Sequence, residues 1–215
     1  MRLMVVAKEP VAGRVKTRLC PPLTPERAAE VAAAALCDTL ESAGATGADD
    51  KVLVLDGSPG PWLPAGWRVL PQRGGTFAER LSAAWVDCGG PALQIGMDTP
   101  QVTTPLLEAS MSETEQHGCV IGPATDGGWW ALGLRRAERS AFDGVPMSDT
   151  STLRHQIAQL RSLGLDPMML PALTDVDTWG DAVAVAALAP AGRFAAAVAE
   201  GSLGALDRAA GGAAR

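Results

Sequence analysis

Four cations, Lys8, Arg14, Lys16 and Arg18, fall within eleven residues and share that stretch with a single acid, Glu9. Residues 8–18 therefore carry +3 in a chain whose formal charge is −6, which leaves −9 for everything else. Such a local reversal suits a specific small anion, above all the phosphates of a nucleotide. It does not suit nucleic acid, which needs a broad basic face, or an anionic membrane. A solvated basic loop is the plainer alternative. Asp98, in Gly96-Met97-Asp98-Thr99-Pro100, offers a hard oxygen ligand for Mg²⁺ or Mn²⁺, ions that keep several waters and bridge to substrate phosphates. The competing reading is a turn or capping aspartate. Asp175 and Asp177 have the period-two spacing that puts both acids on one side of an extended segment, where they could share a metal; Asp177 could equally be a helix cap. Asp126-Gly127-Gly128 reads as a loop whose backbone approaches a ligand closely, or as a tight turn.

The elements that must position these groups follow from the apolar pattern. Leu3–Ala7 is one buried strand that runs out into the basic, Gly/Pro-bent loop. A strand, then such a loop, then a helix is a common frame for a phosphate site. Thr24-Pro25-Glu26 supplies a cap, a first-turn proline and an early acid for an Ala-rich helix ending near Gly44. Strands are predicted at Lys51–Leu55, Trp67–Leu70, Ala92–Met97, Cys119–Ile121, Trp129–Leu134 and Asp166–Leu170. Helices are predicted from the capping box Thr76–Glu79 to about Cys88, from Thr104 to about Gln116, over Thr152–Leu163, over Ala182–Leu188 and over Phe194–Glu200, with Asp177 or Thr178 as a cap. The alternation predicts an α/β fold, a mostly parallel sheet with helices on both faces, whose ligands sit beyond the C-terminal strand ends. One domain is expected over residues 1–208 and a flexible tail over 209–215.

Several chemistries are disfavoured. Lys16-Thr17 lacks the P-loop glycines, because Val15 and Pro10 stand in their places. There is no G-x-S-x-G, and Cys20, Cys37, Cys88 and Cys119 form no C-x-x-C pair and have no histidine in a suggestive context. They read as free thiols or small hydrophobes in a reducing cytoplasm. His117 and His155 show no metal spacing, and Trp129 and Trp130 read as packing residues. The first apolar run is too short for a signal peptide's core, and no 18-residue apolar span occurs.

Taken together, Val5-Val6-Ala7-Lys8-Glu9-Pro10, Gly13-Arg14-Val15-Lys16-Thr17-Arg18-Leu19, Gly96-Met97-Asp98-Thr99-Pro100 and Gly122-Pro123-Ala124-Thr125-Asp126-Gly127-Gly128 resemble a group of GT-A-like transferases named "transferase 1, radical-SAM/selenodomain-associated". Some of its members are called arsenosugar-pathway glycosyltransferases. The resemblance spans roughly Met1 to Leu188. More distantly, the Lys8 … Lys16-Thr17-Arg18-Leu19 spacing and Asp175-Val176-Asp177-Thr178 are similar to 2-phospholactate and phosphoenolpyruvate guanylyltransferases. The resemblance implies the nucleotide-diphospho-sugar-transferase fold and a set of roles. Lys8, Lys16 and Arg18 would hold nucleotide phosphates, with Ala7, Gly13 and Arg14 in the same loop. Arg73, Gly74 and Gly75 would approach the base. Asp98 would bind Mg²⁺ or Mn²⁺, with Asp175 and Asp177 as further metal acids. Asp126 and Gly127, with Thr125 and Gly128, would line the acceptor side. Where glycosyltransferases of this fold usually carry Asp-x-Asp, Gly96 takes the first acid's place, which tilts the reading towards nucleotidyl transfer. The expected activity is metal-dependent transfer from a nucleoside triphosphate to a small anionic acceptor, with Lys16, Arg18 and Asp98 as catalytic groups. Glycosyl transfer from a nucleotide sugar and a non-catalytic nucleotide-binding module are the alternatives. A homodimer is among the assemblies left open.

Overall fold

The computed structural model describes residues 1–212, with side chains through Ser202; the expected 209–215 tail lies outside the described side chains. Seven strands, β1 (Arg2–Lys8), β2 (Asp50–Asp56), β3 (Arg68–Pro71), β4 (Ala92–Gly96), β5 (Cys119–Pro123), β6 (Trp129–Leu134) and β7 (Met168–Met169), form one sheet in the order β3-β2-β1-β4-β6-β5-β7. β6 runs antiparallel to both its neighbours and every other pairing is parallel. The helices are α1 (Pro25–Gly44), α2 (Phe77–Cys88), α3 (Thr104–His117), α4 (Thr152–Ser162), α5 (Trp179–Leu188) and α6 (Arg193–Gly212). The expected mixed, mostly parallel α/β architecture is what the chain adopts.

Continuous apolar strands are buried on both faces, and their side chains alternate between two cores. Leu3, Val5 and Ala7 of β1 pack with Leu36 and Leu40 of α1 and Leu107 of α3. Met4 and Val6 face the opposite way, towards Leu81 and Trp85 of α2 and Leu160 of α4. A third cluster sets α5 and α6 against the outer face of α1 through Val31, Val185 and Phe194. Gln94 is the one polar side chain in the middle of the buried strand β4, and its carbonyl oxygen accepts the Trp85 indole N–H at 2.6 Å, as burial of a polar group requires.

The helix starts follow the local chemistry. Thr24 caps α1, with Pro25 at its first position. Thr76 and Glu79 form a reciprocal capping box on α2. On α5 the cap is Thr178, paired with Asp181, so Asp177 is left available to the site. The strand expected over Asp166–Leu170 is shortened to Met168–Met169. Pro167 and Pro171 flank it, and neither can donate a ladder hydrogen bond.

β1 sits between β2 and β4. The chain winds outward from β1 to β2 and β3, then returns to the other side of β1 at β4. That reversal opens a crevice at the C-terminal ends of β1 and β4, the place where ligands bind in open α/β sheets. Because β6 is reversed, the turn that enters it, residues 124–128, lies at the same edge.

Candidate functional site

The loop after β1 is pinned at two points. Val15 packs into the core under α1, and Leu19, fully buried, joins the cluster of α1, α5 and α6. Lys16 lies between these anchors with φ 49° and ψ 36°, a left-handed conformation that costs a residue with a Cβ about 1–2 kcal/mol. Its ammonium is largely buried, pairs with the carboxylate of Asp98, and donates a hydrogen bond to the backbone carbonyl of Val176. The first and third polar clusters of the sequence thus meet at the second, across the β1–β4 crevice.

The strip 173–177 is held against the crevice by backbone contacts. Val176 N–H donates to the Asp98 carbonyl at 2.8 Å, and Leu173 N–H donates to that of Pro123 at 3.0 Å. The Gln101 amide donates to the Thr174 carbonyl at 2.8 Å. Thr125 joins through its N–H to the Leu173 carbonyl and through its hydroxyl to that of Thr174, at 3.0 and 3.3 Å.

Asp175 is the unsatisfied member of this group. Its Oδ1 is buried without a hydrogen-bond partner. Burial, followed by the negative charges of Asp98 and Asp126, pushes its carboxyl up to about 7, and the Lys16 cation opposes them only in part. Asp177, two residues on, is half exposed and paired with Arg18. Asp126 turns back to accept its own loop's Gly128 N–H at 2.8 Å. The four acids are therefore gathered at one end of the sheet, but among the described residues no three His, Cys, Asp or Glu side chains converge on a single metal position. Both histidines sit on helices, His117 beside Glu113 and His155 bonded to the Ser151 carbonyl. The four cysteines are free thiols.

On the other side of the loop, Lys8, Glu9, Arg14, Val15 and Asp56 line a hollow of about 60 Å³. Among the described residues the Lys8 and Arg14 side chains make no ion pair. Gly13, with φ 75°, makes the turn before Arg14 and has open space beside it. The Ala7 carbonyl accepts the Gln72 amide at 2.8 Å, and the Gln72 side-chain oxygen accepts from Arg80, which also reaches Asp56. Gln72, Arg80 and Asp56 went unnoticed in the sequence. Only the position of Asp56 at a strand end, in register with Lys8, could have flagged one of them. Arg73 points to α2, where it forms a two-pronged pair with Asp87, each bond 2.7 Å. Gly75 N–H donates to Glu79, and Gly74 lies against the same side chain.

Gly127 has φ 94°, and a Cβ added to it would lie 2.1 Å from the Thr150 carbonyl oxygen. The Gly127 carbonyl in turn accepts Leu153 N–H at 2.9 Å. Only glycine fits where the Asp126 loop is pressed against the segment entering α4. Gly127→Ala is expected to destabilise the protein by about 2–4 kcal/mol, combining a left-handed alanine with a backbone clash. A urea unfolding midpoint unchanged from the parent would show that the contact is not held.

Known structures share this fold. Over 93% of its length and 97% of the other's, the chain is similar to a solved structure from Desulfovibrio desulfuricans G20 assigned as a nucleotide-diphospho-sugar transferase, at 23% identity and a TM-score of 0.78. CMP:2-keto-3-deoxy-manno-octonic acid synthetase, solved with CTP, matches at 12% identity and 0.55, over 88% of this chain and 98% of that one. The 2-C-methyl-D-erythritol 4-phosphate cytidylyltransferase of Thermus thermophilus matches at 17% and 0.52, over 88% and 100%. At these identities the likeness shows the fold, which is that of the nucleotide-diphospho-sugar transferases. No curated protein matches the sequence. The family is shown separately: residues 27–149, more than half of the chain, match the model described as "Uncharacterized protein conserved in bacteria (DUF2064)", and the chain belongs to that family.

Proposed function

We propose that this protein is a divalent-cation-dependent nucleotidyltransferase. The observation that carries the reading is the meeting of Lys16 with Asp98 across the β1–β4 crevice, beside the buried, partnerless oxygen of Asp175. The donor set fits a hard cation. Mg²⁺ and Mn²⁺ at such sites take one or two carboxylates and fill the remaining positions with waters and substrate phosphates, so a third converging side chain is not required. Asp98 and Asp175 would hold the ion, with Asp177 at its edge. When bound, it would neutralise charge on the phosphates.

The chain's own residues do the rest. Lys8 and Arg14, which make no ion pair among the described residues, hold the triphosphate at the mouth of the loop. Ala7 and Gly13 set the backbone of that loop, and Arg73, Gly74 and Gly75 border the side where the base lies. A small anionic acceptor, a phosphate or carboxylate, enters past Thr125, Asp126, Gly127 and Gly128. Its oxygen forms a bond to the α-phosphorus while the bond from that phosphorus to the bridging oxygen breaks, and pyrophosphate leaves with the electron pair. Lys16 and Arg18 meet the charge that grows on the leaving group. No side-chain base is needed, because the acceptor is already an anion; catalysis is positioning and electrostatics. Within the family, this reading agrees with the resemblance to the radical-SAM-associated transferase group and to the guanylyltransferases. The four free thiols favour a reducing cytoplasm, and among the described residues no helix is long and apolar enough to cross a membrane.

A second reading, glycosyl transfer from a nucleotide sugar, is favoured by the name of the Desulfovibrio desulfuricans relative. Against it stands Gly96 at the metal strand. Incubation with a panel of nucleoside triphosphates and nucleotide sugars separates the two. Pyrophosphate release is the expected result, and nucleoside diphosphate release would establish the second reading. Nucleotide binding indifferent to Mg²⁺, without turnover, would instead establish a non-catalytic module.

A further inference from the structure

Lys16 would meet the leaving pyrophosphate, yet its ammonium is engaged elsewhere. It is buried against Asp98, the acid proposed to hold the cation, and it is bonded to the Val176 carbonyl beside Asp175. Lys8 and Arg14 of the same loop line the hollow and make no ion pair among the described residues. A single positive charge thus stands where a cation is wanted and is withheld from the place where a phosphate is wanted. Resting on the nucleotidyltransferase reading, we infer that Lys16 determines which species the site accepts: the metal–triphosphate complex as a unit, against the free metal ion.

Exclusion of the free ion follows from charge. Asp98, neutralised by an ammonium that cannot diffuse away, has little to offer a lone divalent ion. Such an ion would have to part the largely buried Lys16 ammonium from the carboxylate it is paired with, a separation that opposes entry of the ion. A triphosphate arriving with its ion removes that opposition. Lys16 exchanges a carboxylate for a phosphate and stays paired, while Asp98 is freed. The loop gives the side chain a defined place to start from. Val15 and Leu19 are fixed in separate cores and Lys16, the first residue between them, is left-handed, so the exchange involves the Lys16 side chain while its backbone remains anchored. Two ligands that each remove the obstacle to the other bind with positive, reciprocal coupling.

The test is Mn²⁺ binding, read by the electron paramagnetic resonance of free Mn²⁺, for the full chain and for Lys16→Met and Lys16→Arg. With no nucleotide present, Lys16→Met is expected to bind Mn²⁺ at least about tenfold more tightly than the parent, and Lys16→Arg to remain weak. With the four α,β-methylene nucleoside triphosphates as probes, and the affinity of each analogue for Mn²⁺ subtracted, the parent should bind Mn²⁺ at least about tenfold more tightly than without them. In Lys16→Met that enhancement should shrink towards one. A tenfold change corresponds to about 1.4 kcal/mol of coupling. Equal Mn²⁺ affinity in the parent and Lys16→Met overturns the inference, as does a parent that binds free Mn²⁺ as tightly with an analogue as without one; the second comparison stands even if the methionine variant does not fold. Binding of Mn²⁺ with an analogue but no gain in Lys16→Met would sink only this inference. Failure of every analogue and of Mn²⁺ to bind the parent would sink the functional reading with it.

Discussion

Replacing Lys16 with alanine is expected to lower turnover about a hundredfold or more while the fold survives. The size follows from what a preorganised charge aimed at a developing anion contributes: removing one such donor costs about 2.7–4 kcal/mol of transition-state stabilisation. Survival of the fold follows from what the side chain leaves behind. Asp98 is half exposed, at 46%, so once unpaired it can be hydrated. The Val176 carbonyl loses one donor, a loss of about 1–3 kcal/mol where no water replaces it. Val15 and Leu19, which hold the loop, are untouched. Steady-state turnover with the nucleotide identified by the product assay, together with a thermal unfolding midpoint, checks both halves. Near-normal turnover would remove Lys16 from the catalytic set, and a collapsed unfolding transition would make it a structural residue.

Asp175→Asn is expected to have the opposite signature on stability and a severe one on activity. The folded carboxyl is pushed up to about 7, chiefly by burial and then by Asp98 and Asp126, whereas an unfolded aspartate titrates near 3.9. Between those values the folded chain carries a proton that the unfolded chain has lost, so stability falls as pH rises from about 4 to 7. Above 7 the whole penalty is present; below 4 it is absent. Asparagine cannot ionise and escapes the penalty. In EDTA, the variant should exceed the parent by up to about 4 kcal/mol at pH 8, at 1.36 kcal/mol for each of the roughly three pH units between the two values. Near pH 4 the two should be equal. The same substitution removes an oxygen proposed to hold the cation, so turnover should drop to background. Urea unfolding at both pH values provides the comparison, and a variant no more stable at pH 8 would mean that Asp175 is not held in the environment described. In the proposed role, Asp175 would exchange stability for activity, as functional acids commonly do.

Much of this was legible in the sequence because the relevant signals are local. The Thr24-Pro25 start, the Thr76–Glu79 box and the continuous apolar strands each announce their element within a few residues, and each lies where its pattern puts it. The crevice could be placed too, since strand-end loops in a parallel sheet must share an edge. What was not legible is contact through the backbone and between distant side chains. Nothing in residue types marks the Val176 carbonyl as a partner of Lys16, because every residue has a carbonyl. The pairing of Arg73 with Asp87, and of Arg80 with Asp56 and Gln72, depends on how α2 is set against the sheet, which no period encodes. Asp175 and Asp177 read as a matched pair, yet one carries a buried, partnerless oxygen while the other is tied to Arg18. The spacing was right, but the surroundings, which come from other elements, differ.

The strip that carries Asp175 follows the last strand, which ends at Met169, and it joins the crevice by hydrogen bonds to residues translated some fifty to eighty positions earlier. During synthesis the whole sheet can therefore be present before the cleft has its second wall. A premature stop just after Met169 would spare every strand and remove both the wall that carries Asp175 and the α5–α6 packing that holds Leu19 at the end of the Lys16 loop.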